Sequence, residues 1–186
     1  MTDRRIVLVG GGARSGKSTF ALARARELGA RRLFVATARR YDAELSARID
    51  RHVAERGAEF TTIEEPLALP ERLLAATGHD VVVVDCLTLW LSNLLLDGAT
   101  PETIGGRVEE LAAALRRAPC HVVVVTNEVG MGLHPETALG RTFRDLAGRA
   151  HQRLSAVSDE VHLAVMGLVV RLKPAPVEVR SPGALT

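Results

Sequence analysis

IVLVGGGARSGKSTFALARAREL, residues 6–28, is the stretch on which the fold turns. Four apolar residues, Ile6 to Val9, run straight into three glycines, and Gly11 to Ser18 then reads GxxxxGKS ahead of a helical pattern that begins at Lys17. The motif has meaning in this context only, with a strand before it and a helix after it. Glycines let the backbone approach an anion, so the N–H groups of Gly11, Gly12, Ala13, Arg14, Ser15 and Gly16 are expected to converge on phosphates at a helix N-terminus. Lys17 is expected to neutralise the β and γ phosphates as a catalytic group, and Ser18 to ligate Mg²⁺. Lys17 and Lys173 are the only lysines in a chain that otherwise uses arginine for its cations. A phosphate cradle needs a compact ammonium, which arginine's planar fork does not replace.

Outward from this loop, short apolar runs alternate with longer periodic stretches. Ile6 to Val9, Leu33 to Ala36, Val81 to Asp85, His121 to Thr126 and Val161 to Met166 read as strands. They are β-branched and lack polar alternation, which points to strands buried on both faces of a parallel sheet. Lys17 to Leu28, Tyr41 to Arg56, Leu67 to Thr77, Leu87 to Leu96, Pro101 to Arg117 and Glu136 to Val157 read as helices. Strand and helix in repetition predict an α/β fold: a single P-loop nucleotide-binding domain with a mostly parallel sheet flanked by helices. The domain is expected to span 1–173. The remainder, 174–186, contains Pro174, Pro176, Pro182 and Gly183 and is expected to be a loosely ordered tail.

Composition narrows the function. The chain has 186 residues, 47% hydrophobic and 25% charged, which suits one domain with a real core. Aromatics are only 3%, so aliphatic side chains must fill that core. The formal charge is +2, but the arginines are interspersed with carboxylates along helices, as on a solvated surface. A nucleic-acid footprint would need clustered cations with aromatics for stacking, and nucleic acid is not an expected partner. Cys86 and Cys120 belong to no metal-ligand spacing and read as buried thiols. No apolar run approaches the ~20 residues that span a bilayer, and the N-terminal stretch turns into glycines too early for a signal peptide. Membrane insertion is therefore not expected, and the default location is cytoplasmic.

A second acidic element is expected at the end of a neighbouring strand, where a carboxylate can support the metal or its water shell. VVVVDC places Asp85 there, and the same residue could also cap the helix that starts at Leu87.

Three more segments are specific beyond a generic phosphate-loop protein: RIDRH (Arg48 to His52), TNEVGMGLHPE (Thr126 to Glu136) and GRTFRDLAGRAHQRL (Gly140 to Leu154). With GGARSGKS, in this order and spacing from about Ile6 to Lys173, they resemble the bifunctional adenosylcobinamide kinase and adenosylcobinamide-phosphate guanylyltransferase family of cobalamin biosynthesis. The resemblance implies a two-step transferase on one RecA-like domain. ATP or GTP would phosphorylate the aminopropanol hydroxyl of adenosylcobinamide. GTP would then donate GMP to that phosphate, releasing pyrophosphate and giving adenosyl-GDP-cobinamide. It further implies a catalytic guanylyl-histidine at His52 and nucleotide contacts from Ala36, Thr37, Ala38, Val53, Ala54, Glu55, Arg56, Glu64 and Asp85. The partners it implies are a small-molecule corrinoid and further copies of the chain in a homotrimer. His151 departs from the family, which more often has asparagine there.

Read from the residues alone, His52 lies beside the apolar line Leu45, Ile49, Val53 and is a surface histidine near a helix C-terminus. A neutral imidazole, with an intrinsic pKa of ~6.5, is nonetheless a competent nucleophile toward phosphorus. The glycine-containing loop Asn127 to His134 leaves the carboxyl end of a strand, where open α/β sheets bind ligands. It is expected to shape the corrinoid or phosphate site; the alternative is a tight connector capped by Asn127 and Glu128. Arg141, Arg144 and Arg149 either meet phosphates or form salt-bridged helix surface. A plain small-molecule kinase with a structural His52, and a RecA-like ATPase or nucleic-acid module, both remain compatible with the motifs.

Overall fold

The computed structural model describes residues 4–39 and 57–180. The expected helix Tyr41 to Arg56, with His52, Val53, Ala54, Glu55 and Arg56, lies outside the described residues. The elements in chain order are β1 (Ile6–Gly11), α1 (Lys17–Leu28), β2 (Arg32–Ala36), a 3₁₀ turn (Gly57–Glu59), β3 (Phe60–Glu64), α2 (Leu69–Leu74), β4 (Val81–Asp85), α3 (Leu87–Leu96), α4 (Pro101–Arg117), β5 (His121–Asn127), α5 (Ala138–Val157), β6 (Glu160–Val165), β7 (Leu168–Lys173) and β8 (Glu178–Arg180). The strands form one sheet in the order β3-β2-β4-β5-β1-β6-β7-β8. The first six are parallel, and β7 and β8 add antiparallel strands at one edge. The strand carrying the phosphate loop is thus flanked by β5 and β6.

Alternation along each strand divides the core in two. Leu8, Val35, Val82, Val84, Val122 and Val124 face α2, α3, α4 and α5, where Trp90, Leu91, Ile104, Leu111 and Leu154 complete one cluster. Val7, Val9, Phe34, Val83, Val123 and Val125 face α1 and pack on Phe20, Ala21 and Ala25. Helix α3 buries residues around most of its circumference, including Thr88 and Asn93. It lies between the sheet and the outer helices rather than on the surface. Helix α5 begins at Thr137, whose side chain accepts from Gly140 N, and buries Leu146, Ala147, Ala150, Leu154 and Val157. The apolar stripe reads back from there through Phe143, which packs on the core, but Leu139 is 53% exposed.

Three strands lie beyond those expected. β3 is an edge strand whose threonines make it look like a loop, and its burial is mixed. β7 follows β6 through Met166 and Gly167, both with positive φ (52° and 77°), a two-residue hairpin turn. The sheet therefore continues past Lys173: β8, within the segment expected to be a loosely ordered tail, pairs with β7 from Val169↔Arg180 to Arg171↔Glu178.

One ion-pair network ties α1 to β6. Glu160, 8% exposed, accepts from Arg24 at 2.5 and 3.2 Å and lies 3.1 Å from His162 Nε2. The His162 contact and Arg24 hold its carboxyl down to about 2, although burial pushes it up. A carboxyl lowered in the folded state stabilises the fold above its unfolded value of ~4.3, and that stabilisation is lost as pH falls toward the folded value. E160Q, which leaves Arg24 with Glu27 at 2.6 Å as its ion-pair partner, is expected to cost about 2 kcal/mol at pH 7. The deficit should shrink between about pH 4.3 and 2, as followed by chemical denaturation across that range.

Candidate active site

Gly16, with φ 94°, starts α1 in the left-handed region, and no side chain caps the helix. The first-turn N–H groups are therefore left for a ligand. Arg14 also has positive φ, 55°, which turns successive N–H groups to one side of the loop. Only glycine fits at position 11, because a Cβ there would stand 2.5 Å from both Ala164 O and Ser15 Oγ. Ser15 N donates to Gly12 O at 3.3 Å, closing the loop. The Ser15 hydroxyl is buried under the loop without a hydrogen-bond partner. Lys17 Nζ donates to Gly12 O at 3.0 Å, lying back along the loop.

Asp85 ends β4, two strands from β1, and its Oδ2 accepts from Ser18 Oγ at 3.0 Å. The sequence places these two residues 67 apart, and the sheet order brings them together. They form a hydroxyl–carboxylate pair of hard oxygens at the first turn of α1, a donor set suited to Mg²⁺, which takes few protein ligands and is completed by phosphates and water. No cluster of three or more His, Cys, Asp or Glu suited to a metal occurs among the described residues.

Behind Asp85 a buried polar network fixes the strand ends. Thr37 Oγ1 donates to Cys86 O at 2.7 Å and accepts from Cys86 N at 2.8 Å, Thr37 N donates to Asp85 O, and Thr37 O accepts from Asn93 Nδ2 at 2.7 Å. Thr37 is fully buried. These bonds lock β2 to β4 where Asp85 leaves the sheet. Cys86 is buried against Thr88, and burial with the nearby Asp85 charge pushes its thiol up to about 11, so it is an inert packing group.

Ala36 pairs with Asp85 across β2 and β4, and Glu64 pairs with Ala36 across β3 and β2. Four strand spacings separate β3 from β1, roughly 19 Å. Glu64 therefore stands well away from phosphates cradled at Lys17. On the opposite side of Asp85, Asn127 Nδ2 donates to Thr88 Oγ1 at 3.0 Å, and Glu128 N donates to Gly11 O at 3.0 Å. The loop after β5 is thus stitched directly to the phosphate loop. Arg141 Nη1 donates to Pro135 O and Glu136 O at 3.1 and 2.7 Å and closes the far end of the same loop. Glu128 Oε1 accepts from Gly130 N at 2.6 Å, Glu128 Oε2 lies 3.6 Å from His151 Nδ1, and His151 Nε2 lies 2.7 Å from Thr126 Oγ1. This last pairing is not legible in the sequence, where His151 stands out only as a departure from the family pattern.

The fold is shared with RecA-like P-loop proteins. The RadB recombinase superposes with a TM-score of 0.55 at 15% identity, covering 94% of this chain and 86% of that one. An ATPase from the type III secretion system of pathogenic bacteria gives 0.51 at 11% identity, covering 86% of this chain and 50% of that one. Among the described residues no helix is long and apolar enough to cross a membrane. In sequence, the chain is 40% identical over 181 residues to the bifunctional adenosylcobalamin biosynthesis protein CobU of Escherichia coli (strain K12), covering 90% of this chain and 99% of the relative. It is 42% identical over 170 residues to the bifunctional adenosylcobalamin biosynthesis protein CobP of Pseudomonas aeruginosa, covering 91% and 98%. The family model for cobinamide kinase / cobinamide phosphate guanyltransferase matches residues 7–172, and with the phosphate loop, Ser18 and Asp85 assembled within that span, the chain belongs to this family.

Proposed function

We propose that this chain phosphorylates adenosylcobinamide with a nucleoside triphosphate and then transfers GMP from GTP to the resulting phosphate through a guanylyl group on His52, giving adenosyl-GDP-cobinamide and pyrophosphate. The observation that carries the reading is the meeting of the phosphate loop with Asp85 through Ser18, in a chain about 40% identical to two proteins named bifunctional in adenosylcobalamin biosynthesis. In the first step the loop N–H groups and Lys17 hold the β and γ phosphates of ATP or GTP. Lys17, now lying on Gly12 O, exchanges that carbonyl for phosphate oxygens. Mg²⁺, held by Ser18 and Asp85 in part through water, would supply charge neutralisation at the phosphates when bound.

In the second step a histidine nucleophile divides one crowded displacement into two. His52 Nε2 or Nδ1 attacks the α phosphorus of GTP and pyrophosphate leaves. The corrinoid phosphate oxygen then attacks the same phosphorus and the imidazole leaves. The guanosine side of the site draws on Ala36, Thr37, Ala38, Glu64 and the segment Val53 to Arg56. Glu64, lying across the sheet from the phosphate loop, suits a nucleoside rather than the phosphates at Lys17. The corrinoid is a small-molecule partner, and a homotrimer is the proposed assembly.

The testing experiment is the intact mass of the protein after incubation with GTP and Mg²⁺, with acid treatment and peptide mapping. An acid-labile GMP increment on His52 is expected. A protein that binds GTP and forms no adduct would leave a plain kinase.

A further inference from the structure

Three acids stand at the carboxyl ends of described strands: Glu64 on β3, Asp85 on β4 and Glu128 directly after β5. They are not equivalent toward a phosphoryl group held at Lys17. Asp85 is engaged by the Ser18 hydroxyl, and Glu64 lies at the far edge of the sheet. Glu128 follows the strand adjacent to β1, and its N–H grips the carbonyl of Gly11, next to the Gly12 carbonyl on which the Lys17 ammonium rests.

The Glu128 carboxylate is also held in a fixed direction. Gly130 N takes one lone pair of Oε1, and His151, reaching back from α5, stands behind Oε2. His151 is itself fixed by Thr126, which is 2% exposed. His151 Nε2 and Thr126 Oγ1 share a hydrogen bond, while Nδ1, 3.6 Å from Oε2 and beyond hydrogen-bond reach, backs the carboxylate by proximity as a neutral ring. Burial pushes the imidazole below its usual range, against the pull of the Glu128 charge, which favours this neutral form. A turn-capping glutamate needs the Gly130 contact alone. An imidazole packed behind Oε2 and buttressed from the strand end limits where the carboxylate can swing, which closing the turn does not need.

From this geometry we infer that Glu128 is the general base that takes the proton from the acceptor hydroxyl in the phosphorylation step, with His151 as its positioning residue. The inference rests on the kinase half of the function proposed above. As the hydroxyl oxygen forms its bond to the γ phosphorus, the bond from that phosphorus to the β–γ bridging oxygen breaks. Its electron pair leaves with the nucleoside diphosphate, and the hydroxyl proton passes to a carboxylate oxygen of Glu128. A carboxylate offers about four acceptor positions, so the bond from Gly130 N leaves lone pairs for that proton.

The test compares phosphorylation of adenosylcobinamide by ATP with the affinity for a fluorescent ATP analogue in the full chain. If the wild type binds the analogue but does not phosphorylate adenosylcobinamide, the kinase reading fails, and this inference with it. With an active wild type, E128Q is expected to lose about 10²- to 10³-fold in kcat while analogue affinity stays within about threefold. Wild-type kcat in E128Q, or a parallel loss of nucleotide affinity, overturns the role. Should E128Q not fold, E128D takes its place: a kcat reduced about tenfold or more at unchanged affinity supports the role, and wild-type kcat overturns it. H151L is expected to lower kcat about tenfold at unchanged affinity, with H151N recovering most of the loss by restoring a polar partner for Glu128. An H151L enzyme at wild-type kcat removes the positioning role.

Discussion

Lys17→Ala is expected to lower nucleotide-dependent turnover by about 10³-fold or more while leaving the fold intact. The first part follows from charge. A γ-phosphoryl group in transfer spreads negative charge over its oxygens, and loss of a fixed cation or donor at such a site costs about 10²- to 10⁵-fold. The second part follows from what Lys17 does without a ligand: its ammonium donates to Gly12 O, a carbonyl at the exposed mouth of the loop that water can satisfy. Stability should therefore change by no more than about 1 kcal/mol. Lys17→Arg is not expected to rescue, because a planar fork cannot occupy the place of a compact ammonium in a loop closed by the Ser15–Gly12 bond. Steady-state kinetics beside a thermal melt check this; wild-type turnover in the alanine variant would remove the role given to the phosphate loop.

His52→Ala is expected to separate the two halves of the reaction. Without a nucleophile there is no acceptor for GMP on the protein, so the acid-labile adduct should vanish and transfer to the corrinoid phosphate should fall by about 10⁴-fold or more. Phosphorylation of adenosylcobinamide draws on Lys17, Ser18 and Asp85, which the substitution does not touch, and should persist. Measuring the two steps separately, by release of ADP and by release of pyrophosphate from GTP, gives a clear reading. Full GMP transfer in the variant would exclude the covalent route; loss of both steps would mean that His52 serves the phosphate site as well.

The parts of the fold that the sequence discloses are those where local pattern and tertiary role agree. The valine runs at 81–84 and 122–125 are buried on both faces and read as central parallel strands. Helices α3 and α4 carry the expected bounds because Thr100 with Pro101 opens one and strand β4 abuts the other. The strands that escape notice sit at the edges. There, FTTIE is mostly polar and does not alternate, and LVVRLK is joined to its partner by the Met166–Gly167 turn, whose signal is a single glycine between two apolar runs. In the site, the loop and Asp85 are legible because a spaced motif and a valine strand announce them. The lock between Thr37 and Cys86 is not, because only the register of β2 beside β4 brings the two together. The Thr126–His151–Glu128 chain is equally hidden, since it joins a strand end to the middle of a helix 25 residues away.

The absence of a side-chain cap at Gly16 has a consequence for how the molecule and its substrate depend on each other. A helix whose first turn is left open is structurally incomplete, and the group that completes it here comes from solution. Whatever phosphate settles on those N–H groups acts as the missing terminal residue of α1, a helix that Arg24 ties through Glu160 to β6. Nucleotide is in this sense a part of the folded protein: at a hundredfold excess over its Kd it would add about 2.7 kcal/mol to the stability of the domain. The enzyme is therefore at its least stable when starved of nucleoside triphosphate.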